Sequence, residues 1–414
     1  MSCSEHAALS RRRQLIKGSA ASLALWGFIP KAMAVGTRDP RLLTIVLRGG
    51  LDGLSMIAPA GDPDYARIRQ KLALSKDGTA AGLPLDGFFV LNPSMTYLHR
   101  LYTKGEALAV HAVATPYRGR SHFDGQDVLE SGLGGVSRAE NGWLNRALAG
   151  LSVAGKADPK GLAMGAVVPL VMRGTAPVMS WIPKAYGIQL RDSTIARLMD
   201  LYSQSDPKLA NAFAEGLEID KVGMTTAAGA MSAPGAAAGG QRPFRDFIET
   251  AETAAKFMSA GDGPRVGALS YNGWDTHANA GTVQGQLATR LAGLDAAIKA
   301  FAEGMGPTWK DTVVVIVTEF GRTAYTNGTE GTDHGTATAA LLLGGAIKGG
   351  RVIAKWPGLA DKHLYEGRDL APTLDLRTVI KGVLRDHLGI PAGALGTTVF
   401  PESRGIDPLD GLIV

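Results

Sequence analysis

The sequence predicts an α/β fold built on a largely parallel sheet. Short apolar segments rich in β-branched residues, such as TVVVIVT at 312–318, are typical of strands buried on both faces. Longer segments with apolar residues at helical spacing lie between them, and the clearest of these covers 284–305. Strands that alternate with helices along a chain favour parallel pairing, because each helix carries the chain back across the sheet.

The first strand candidate is Arg41–Arg48, which runs into the glycine-rich turn GGLDG at 49–53. Glycines permit positive φ angles and close approach of the backbone, which suits a binding turn and a plain turn equally. Asp52, in this turn, is therefore a site candidate only in combination with other strand ends.

The remaining elements follow in chain order. Further predicted strands lie at 107–114, 163–172, 265–270 and 352–355, and an apolar segment lies at 337–347. Further predicted helices lie at 95–103, 127–131, 141–151, 192–202, 208–217, 244–260 and 376–388. The Ala/Gly/Ser-rich stretch 223–240 is interpreted as a surface loop, because segments of the same character resume after it, so residues 35–414 are predicted to form a single domain.

The N-terminus predicts export by the twin-arginine pathway. SRRRQLIK at 10–17 is followed by a moderately apolar segment and by the small-x-small site Ala32-Met33-Ala34, so residues 1–34 are interpreted as a signal peptide. Its apolar part is shorter than the roughly 20 residues that a spanning helix needs. The alternative is an uncleaved basic amphipathic tail. The mature protein is expected in the periplasm or secreted, with the twin-arginine export machinery as a partner and no membrane span.

Charge and cysteine content exclude several classes of function. Cleavage after Ala34 removes five basic residues and one acidic residue, so the formal charge falls from +5 to +1 and nucleic-acid binding is not expected. The only cysteine, Cys3, lies in the predicted signal peptide. The mature chain is therefore expected to have no disulfide, no thiolate metal site and no cysteine nucleophile.

A loop with several chemically active residues follows the predicted strand 107–114. It reads TPYRGRSHFDGQ at 115–126 and contains Arg120, Ser121 and His122. A serine at the start of a helix is a common N-cap, which is one interpretation of Ser121. The other is a nucleophile at a helix N-terminus, where backbone N–H groups favour an anionic substrate.

Two more strand ends carry acids and imidazoles. GWDTHAN at 273–279 places Asp275 and His277 after a predicted strand, where the pair suits a cation, although Asp275 could instead cap a helix. Glu319 follows the strand at 312–318, and Asp333 and His334 follow on a loop. Ligands bind beyond the carboxyl ends of strands in open α/β sheets, so these side chains are predicted to converge on one site.

The combination predicts metal-assisted ester chemistry. The sequence has no Gly-x-Ser-x-Gly elbow, no Walker loop and no dinucleotide fingerprint. Carboxylates and imidazoles near a hydroxyl suit one or two divalent cations bound through oxygen and nitrogen. The matching chemistry is transfer at a phosphorus or sulfur ester.

Several motifs together resemble a known family. They are LRGGLDGLSMIAP, ATPYRGRSHFDGQD, NGWLNRAL, GWDTHAN, VTEFGRT and TDHG. With the twin-arginine start, they resemble the exported bacterial family called domain of unknown function 1501 over nearly the whole mature chain. That family is similar to the alkaline phosphatase and sulfatase superfamily. The resemblance implies a large, mostly parallel sheet between helix layers.

The resemblance also implies roles for individual residues. Asp52 resembles the first metal ligand and Ser121 the nucleophile, while Asp275 and His277 resemble the ligand pair of another metal. Glu319 stands at the Asp of a later Asp-His pair, and His334 is similar to the final His. Phe320 departs from the pattern, because the superfamily has a ligating histidine there, so one site is incomplete unless Asp333 or a water fills it. The sulfatase motif that generates a formylglycine is absent.

Two functions remain open from the sequence. The first is an exported, metal-dependent hydrolase of small anionic phosphate or sulfate esters, with Arg120, Arg322 and His122 as candidates for binding the substrate. Its cofactor would be one or two divalent cations, with zinc preferred over calcium, magnesium or manganese. The second is a non-catalytic secreted protein for binding or envelope assembly that keeps the fold with a degraded metal site.

Overall fold

One large mixed sheet with helices on both faces forms the framework of the protein. The structure, a computed structural model, describes residues 38–151, 161–165, 167–182, 192–206, 209–214, 216–217 and 242–414. The predicted signal peptide at 1–34 and the predicted surface loop at 223–240 lie outside the described residues, and the predicted helix at 208–217 lies partly outside them.

The strands fall into two sheets. The strands are β1 (Arg41–Arg48), β2 (Ile57–Ala58), β3 (Leu83–Pro84), β4 (Val90–Leu91), β5 (Ala107–Ala114), β6 (Gly161–Met164), β7 (Val178–Trp181), β8 (Val266–Asn272), β9 (Thr312–Val317), β10 (Thr338–Leu343), β11 (Arg351–Ile353) and β12 (Leu374–Asp375). Within the described residues, the large sheet has nine strands in the order β11-β5-β10-β9-β1-β8-β6-β7, and β12 also pairs with β5. β2, β4 and β3 form a small antiparallel sheet.

Parallel pairing dominates the large sheet. β1 pairs in parallel with both β8 and β9, and β6 pairs in parallel with both β7 and β8. β10 alone runs antiparallel to its two neighbours, β5 and β9. β1, β5, β8 and β9 therefore all point the same way, and their carboxyl ends meet at one edge of the sheet.

Helices cover the sheet on both sides. They are α1 (Gly53–Met56), α2 (Tyr65–Arg69), α3 (Thr96–Thr103), α4 (His122–Ser131), α5 (Trp143–Ala149), α6 (Asp192–Ser205), α7 (Arg242–Ser259), α8 (Gln286–Met305), α9 (Leu376–Asp386) and the short α10 (Ala392–Ala394). Short 3₁₀ or π turns lie at Gln70–Leu72, Leu170–Met172, Gly306–Asp311, Asp361–His363 and Leu395–Val399.

Two apolar cores lie on opposite faces of the sheet because side chains alternate along each strand. Leu43 and Ile45 of β1 belong to the core that includes Leu291 of α8. Leu42 of β1 belongs to the other core, with Val379 of α9. The predicted α/β class, with a large and mostly parallel sheet between helix layers, is confirmed.

Two predicted boundaries were wrong. The predicted strand 163–172 is a strand only over Gly161–Met164, because the chain then turns through Gly165 and Pro169 into a 3₁₀ turn. The helix predicted to start at 127 begins at His122, because the Ser121 hydroxyl caps it. In the described part of the chain, no helix has both the length and the apolar character needed to cross a membrane.

Stability should fall as the pH falls from 6.5 towards 4. Burial lowers the pKa of His111 and of His387 from 6.5 to about 4 each. Between these pH values the unfolded chain takes up protons that the folded chain does not, so acid favours unfolding. Protonation of each histidine in the unfolded chain is expected to lower the unfolding free energy by up to roughly 3 kcal/mol. Denaturant titrations across this pH range test the effect. His387→Gln should flatten the slope, whereas the exposed His363→Ala should not, and equal slopes for all three proteins would contradict the assignment.

Candidate metal centre

Side chains from three loops meet at the carboxyl edge of the large sheet. Asp275 and His277 follow β8, and His122 lies at the start of α4 after β5. His334 lies between β9 and β10, on the loop that turns the chain back into the antiparallel strand. This is the edge where α/β sheets bind ligands.

The centre consists of three imidazoles and one carboxylate. His122, Asp275 and His334 each offer one ligand atom, and these atoms all lie within 4.8 Å of one another. The Nε2 atom of His334 is 3.0 Å from Nε2 of His122 and 3.1 Å from Oδ1 of Asp275. His277 joins this group through two members, because its Nε2 is 3.0 Å from Nε2 of His334 and 2.9 Å from Oδ1 of Asp275.

The opposite ring nitrogen of each imidazole has its own acceptor. Nδ1 of His122 is 2.8 Å from Oε1 of Glu319, and Nδ1 of His277 is 3.1 Å from Oδ1 of Asp333. Nδ1 of His334 is 2.7 Å from the carbonyl oxygen of Arg120. A carbonyl can only accept, so Nδ1 of His334 is the protonated nitrogen, and the two carboxylates favour the same tautomer in the other rings. The three Nε2 lone pairs then face one another.

This arrangement fits a divalent cation. Lone pairs 3.0 Å apart repel unless a proton or a cation lies between them. Zinc bound at about 2.0–2.1 Å by tetrahedral ligands spaces those ligands by about 3.3 Å. The atoms around His334 are separated by 3.0–3.1 Å, and Nε2 of His122 is 3.4 Å from Oδ2 of Asp275. Metal-binding histidines characteristically donate their other N–H to a carboxylate or carbonyl, as all three do here.

Electrostatics favour the deprotonated form of Asp275 and of His334, but not that of His122. Burial disfavours the charged form of Asp275, but the charge and hydrogen bond of Arg322 outweigh this and lower its pKa. Burial lowers the pKa of His334, whereas the hydrogen bond to Glu319 raises the pKa of His122. A cation must displace any proton that His122 holds, so cation binding would weaken in acid.

Glu319 and Asp333, which were predicted as direct ligands, lie behind the imidazoles and contact the Nδ1 atoms of His122 and His277. Glu319 is fully buried, and its Oε1 also accepts hydrogen bonds from Gly49 N at 2.8 Å and Gln126 Nε2 at 3.1 Å. Burial opposes its ionisation, but these hydrogen bonds, led by that of His122, outweigh burial and lower its pKa. The same balance, with Asn327 and His277 as the partners, lowers the pKa of Asp333. Both carboxylates are placed to orient a histidine.

Asp52 lies apart from the centre, although it was predicted as the first metal ligand. Its carboxylate is 1% exposed and forms an ion pair with Arg69. Its Oδ2 also accepts a hydrogen bond from Ser55 Oγ at 2.8 Å, and Oδ1 caps the short helix α1. The contacts that the structure shows for Asp52 are therefore those of a carboxylate that is neutralised by a buried guanidinium and holds the turn.

Arg322 is also structural, in contrast to its predicted contact with substrate. Its side chain is fully buried and donates to the carbonyls of Gly49, Gly50, Trp274 and Thr332 at 2.7–3.1 Å. Its Nη2 lies 2.5 Å from Oδ1 of Asp275. It thus ties together the loops that follow β1, β8 and β9. Gly49 permits this close approach, because a Cβ there would lie 2.7 Å from the backbone nitrogen of Asp275.

Ser121 and Arg120 lie beside the centre. The Ser121 hydroxyl accepts a long hydrogen bond of 3.4 Å from Asp124 N, as an N-cap. The Arg120 side chain is 44% exposed and pairs with Glu366 at 2.9 Å, while its carbonyl fixes His334. Their predicted roles as nucleophile and substrate-binding residue stay predictions.

His122 was predicted to bind substrate, and the structure places it together with Asp275 and His334 in the candidate metal centre. Phe320, expected to leave a ligand missing, is buried and packs against the rings of His122 and His334, with centroids 4.9 and 5.1 Å apart. His122 therefore brings an imidazole from the loop after β5 to a position beside Phe320. The sequence feature that could have indicated this position of His122 is its place directly after Ser121 in the loop that follows β5.

Comparisons with solved structures give weak similarities. A 2-O GAG sulfatase shares 12% identity with this chain at a TM-score of 0.40, covering 90% of this chain and 76% of the other. The phosphonate monoester hydrolase of Agrobacterium radiobacter shares 11% identity at a TM-score of 0.36, covering 90% and 79%. The zinc complex of the C-terminal periplasmic domain of EcEptC from Escherichia coli shares 11% at 0.31, covering 75% and 74%. Similarities at this level carry no argument about activity.

The family of the chain is established by its sequence. No functionally curated protein matches it. Residues 105–395, which include His122, Asp275, His277 and His334, match the family described as "Protein of unknown function (DUF1501)". This match covers more than half of the chain, and the protein belongs to that family.

Proposed function

We propose that the protein is an exported, zinc-dependent hydrolase of small phosphate or sulfate esters. The observation that carries the proposal is the convergence of three imidazole Nε2 atoms and the Asp275 carboxylate, with an acceptor behind every Nδ1 atom. Such pre-oriented ligands are costly to maintain for structure alone, because they bring lone pairs together at 3.0 Å.

The ligand set would be His122, Asp275 and His334, with His277 adjacent. Glu319, Asp333 and the Arg120 carbonyl hold the rings in the binding tautomer. When bound, a divalent cation supplies Lewis acidity towards an ester oxygen and a lowered pKa for water. Zinc is preferred because nitrogen donors dominate the set, whereas calcium and magnesium prefer oxygen.

Ser121 is the proposed nucleophile. It immediately precedes His122, and its hydroxyl lies at the N-terminus of the ten-residue helix α4. The first turn of a helix presents unpaired backbone N–H groups that favour an anionic ester. The cap contact with Asp124 N, 3.4 Å long, occupies one lone pair of the hydroxyl oxygen and leaves the other for attack.

Arg120 is the proposed anion-binding residue. Its guanidinium reaches Glu366 at the surface and lies 3.9 Å from the buried Asp369. Asp369 accepts a hydrogen bond from Thr336, two residues after His334, so the guanidinium is held close to that loop. An exposed ion pair of this kind is weak, so an ester anion can replace Glu366 at little cost.

Export is part of the same proposal. Residues 1–34 would direct a folded, metal-loaded domain of residues 35–414 through the twin-arginine machinery to the periplasm or beyond. The expected partners are that machinery and a small anionic ester, and nucleic acid is not expected.

The test is turnover of aryl phosphate monoesters, phosphate diesters and aryl sulfates by the zinc-loaded full chain. We expect at least one class to be hydrolysed, chelation to abolish the activity, and Ser121→Ala to lower kcat by about 10³-fold or more because a nucleophile is removed. Ser94→Ala, a serine outside the centre, is the matched control. An equally active Ser121→Ala would refute the nucleophile, and no turnover by wild type would favour the non-catalytic binding role.

A further inference from the structure

A cavity of about 420 Å³ lies at the same edge of the sheet as the candidate metal centre and is lined by Phe123, the residue that follows His122. It opens at the carboxyl ends of β1, β6 and β8 and is lined there by Arg48, Met164 and Asn272. Gln126 of α4 also lines it and donates to Oε1 of Glu319 at 3.1 Å, the same oxygen that holds His122. One side chain therefore links the cavity to the histidine support of the centre.

The cavity is larger than the reacting group needs. A volume of this order falls within the roughly 300–1,000 Å³ of sites that enclose whole small molecules. A phosphate or sulfate group at the metal centre would leave the cavity free for the remainder of the ester. The proposed function thus gives the cavity a chemical role, as the place of the leaving group.

Charge in the cavity is balanced. Arg48 forms an ion pair with Glu130, which is 2% exposed and also accepts a hydrogen bond from Val171 N at 3.1 Å. The two other charged residues of the lining, Asp127 and Arg173, are opposite in sign. A balanced site favours an uncharged ligand, because a charged one would be left without a counter-ion.

The lining nevertheless offers hydrogen bonds. Gln126 and Asn272 present both donors and acceptors, and the buried Nε of Arg48 has no hydrogen-bond partner among the described residues. A buried donor without a partner is costly, and a ligand oxygen would relieve that cost.

An exposed aromatic ring stands at the edge of the cavity. Phe123 is 88% exposed, although it directly follows His122 and lines the cavity. Val167, 70% exposed, lines the same cavity. Exposed apolar side chains gathered at one opening mark a ligand surface, and a phenyl ring offers a flat face for stacking.

We propose that this cavity binds the leaving group of the ester and selects an uncharged ring with a flat apolar face and hydroxyl or amide groups at its edge. The ring stacks on Phe123, and its polar edge meets Gln126, Asn272 and Arg48. A sugar ring and an aromatic ring with polar substituents share this chemistry. The role of the ring as a leaving group rests on the proposed function, whereas the binding of the ring does not depend on turnover.

The experiment therefore measures binding without hydrolysis. Methyl β-glucoside and benzamide are not esters of the proposed kind, and saturation-transfer NMR titrations of each against the zinc-loaded full chain give Kd values. We expect at least one ring to bind, and Phe123→Ala to weaken it roughly five- to tenfold through lost stacking. Val414→Ala, another exposed apolar side chain at 71%, is the control and should bind as wild type does. Glucoside binding alone identifies a sugar site, and benzamide binding alone an aromatic one.

Two results would overturn the inference: neither ring binds, or Phe123→Ala binds as tightly as wild type. A kinetic arm separates this failure from failure of the proposed function. For a ring-bearing ester, Phe123→Ala should raise KM roughly five- to tenfold, with no change for the ethyl ester of the same acid. If no ester is hydrolysed while the rings still bind through Phe123, the cavity assignment stands and the hydrolase proposal fails.

Discussion

His334→Ala should lose the divalent cation. Nε2 of His334 lies within 3.1 Å of ligand atoms of His122, Asp275 and His277. The substitution therefore removes the one atom that contacts all three of these side chains. Loss of a supporting partner alone lowers metal affinity about 10–100-fold, so loss of this ligand should exceed about 100-fold. Equilibrium dialysis against a competing chelator, followed by elemental analysis, measures the change.

The matched control for this variant is His363→Ala. His363 is exposed and lies outside the centre, so its loss should leave cation binding unchanged. Added zinc should also raise the melting temperature of wild type and of His363→Ala, but not that of His334→Ala, because only a site that binds zinc shifts the folding equilibrium. Stoichiometric zinc in His334→Ala would show that the centre has been misassigned.

Arg322→Met should destabilise the fold by several kcal/mol, because each buried acceptor that loses its hydrogen-bond donor costs roughly 1–3 kcal/mol. The guanidinium donates to four carbonyls and to Asp275, and methionine replaces none of these hydrogen bonds. The carbonyls would be left buried and unpaired, and Asp275 would lose its neighbouring cation. Denaturant titration of the metal-free variant against metal-free wild type measures the loss in unfolding free energy.

Arg67→Met provides the comparison for Arg322. Arg67 is a half-exposed arginine that pairs with Asp64 and Asp361 at 2.9 and 2.8 Å, and such surface pairs contribute little. We expect only a small change from this variant. A loss in Arg322→Met no larger than in Arg67→Met would contradict the structural role of Arg322 and reopen its role in binding substrate.

The sheet, and the edge of it that carries the candidate metal centre, could be predicted because both depend on the local pattern of apolar residues in the sequence. β9 was predicted as 312–318 and is Thr312–Val317, and α8 was predicted as 284–305 and is Gln286–Met305. Continuous β-branched residues and helical spacing of leucines report burial directly. The loops after β5, β8 and β9 could then be predicted to lie together, because strands that point the same way end at one edge of the sheet.

The sequence could not predict which acidic residues contact a histidine of the centre and which pair with an arginine. Glu319 and Asp52 each follow a buried strand in the same way, yet one supports His122 and the other pairs with Arg69. Which partner an acid meets depends on tertiary contacts: Glu319 and His122 are 197 positions apart in the chain. For the same reason, Arg322 resembled a substrate clamp in sequence although its five hydrogen bonds are internal.

The spacing of the metal centre along the chain has a further consequence. His122 and His334 are 212 positions apart, and Asp275 and His334 are 59 apart, so a bound cation closes two long loops of the polypeptide. The sequence contains a single cysteine, so no disulfide can form within it. In the chain-entropy account of cross-links, closing a loop of about 100 residues stabilises a fold by about 5 kcal/mol. The cation would then act as a cross-link in a chain that can form no disulfide.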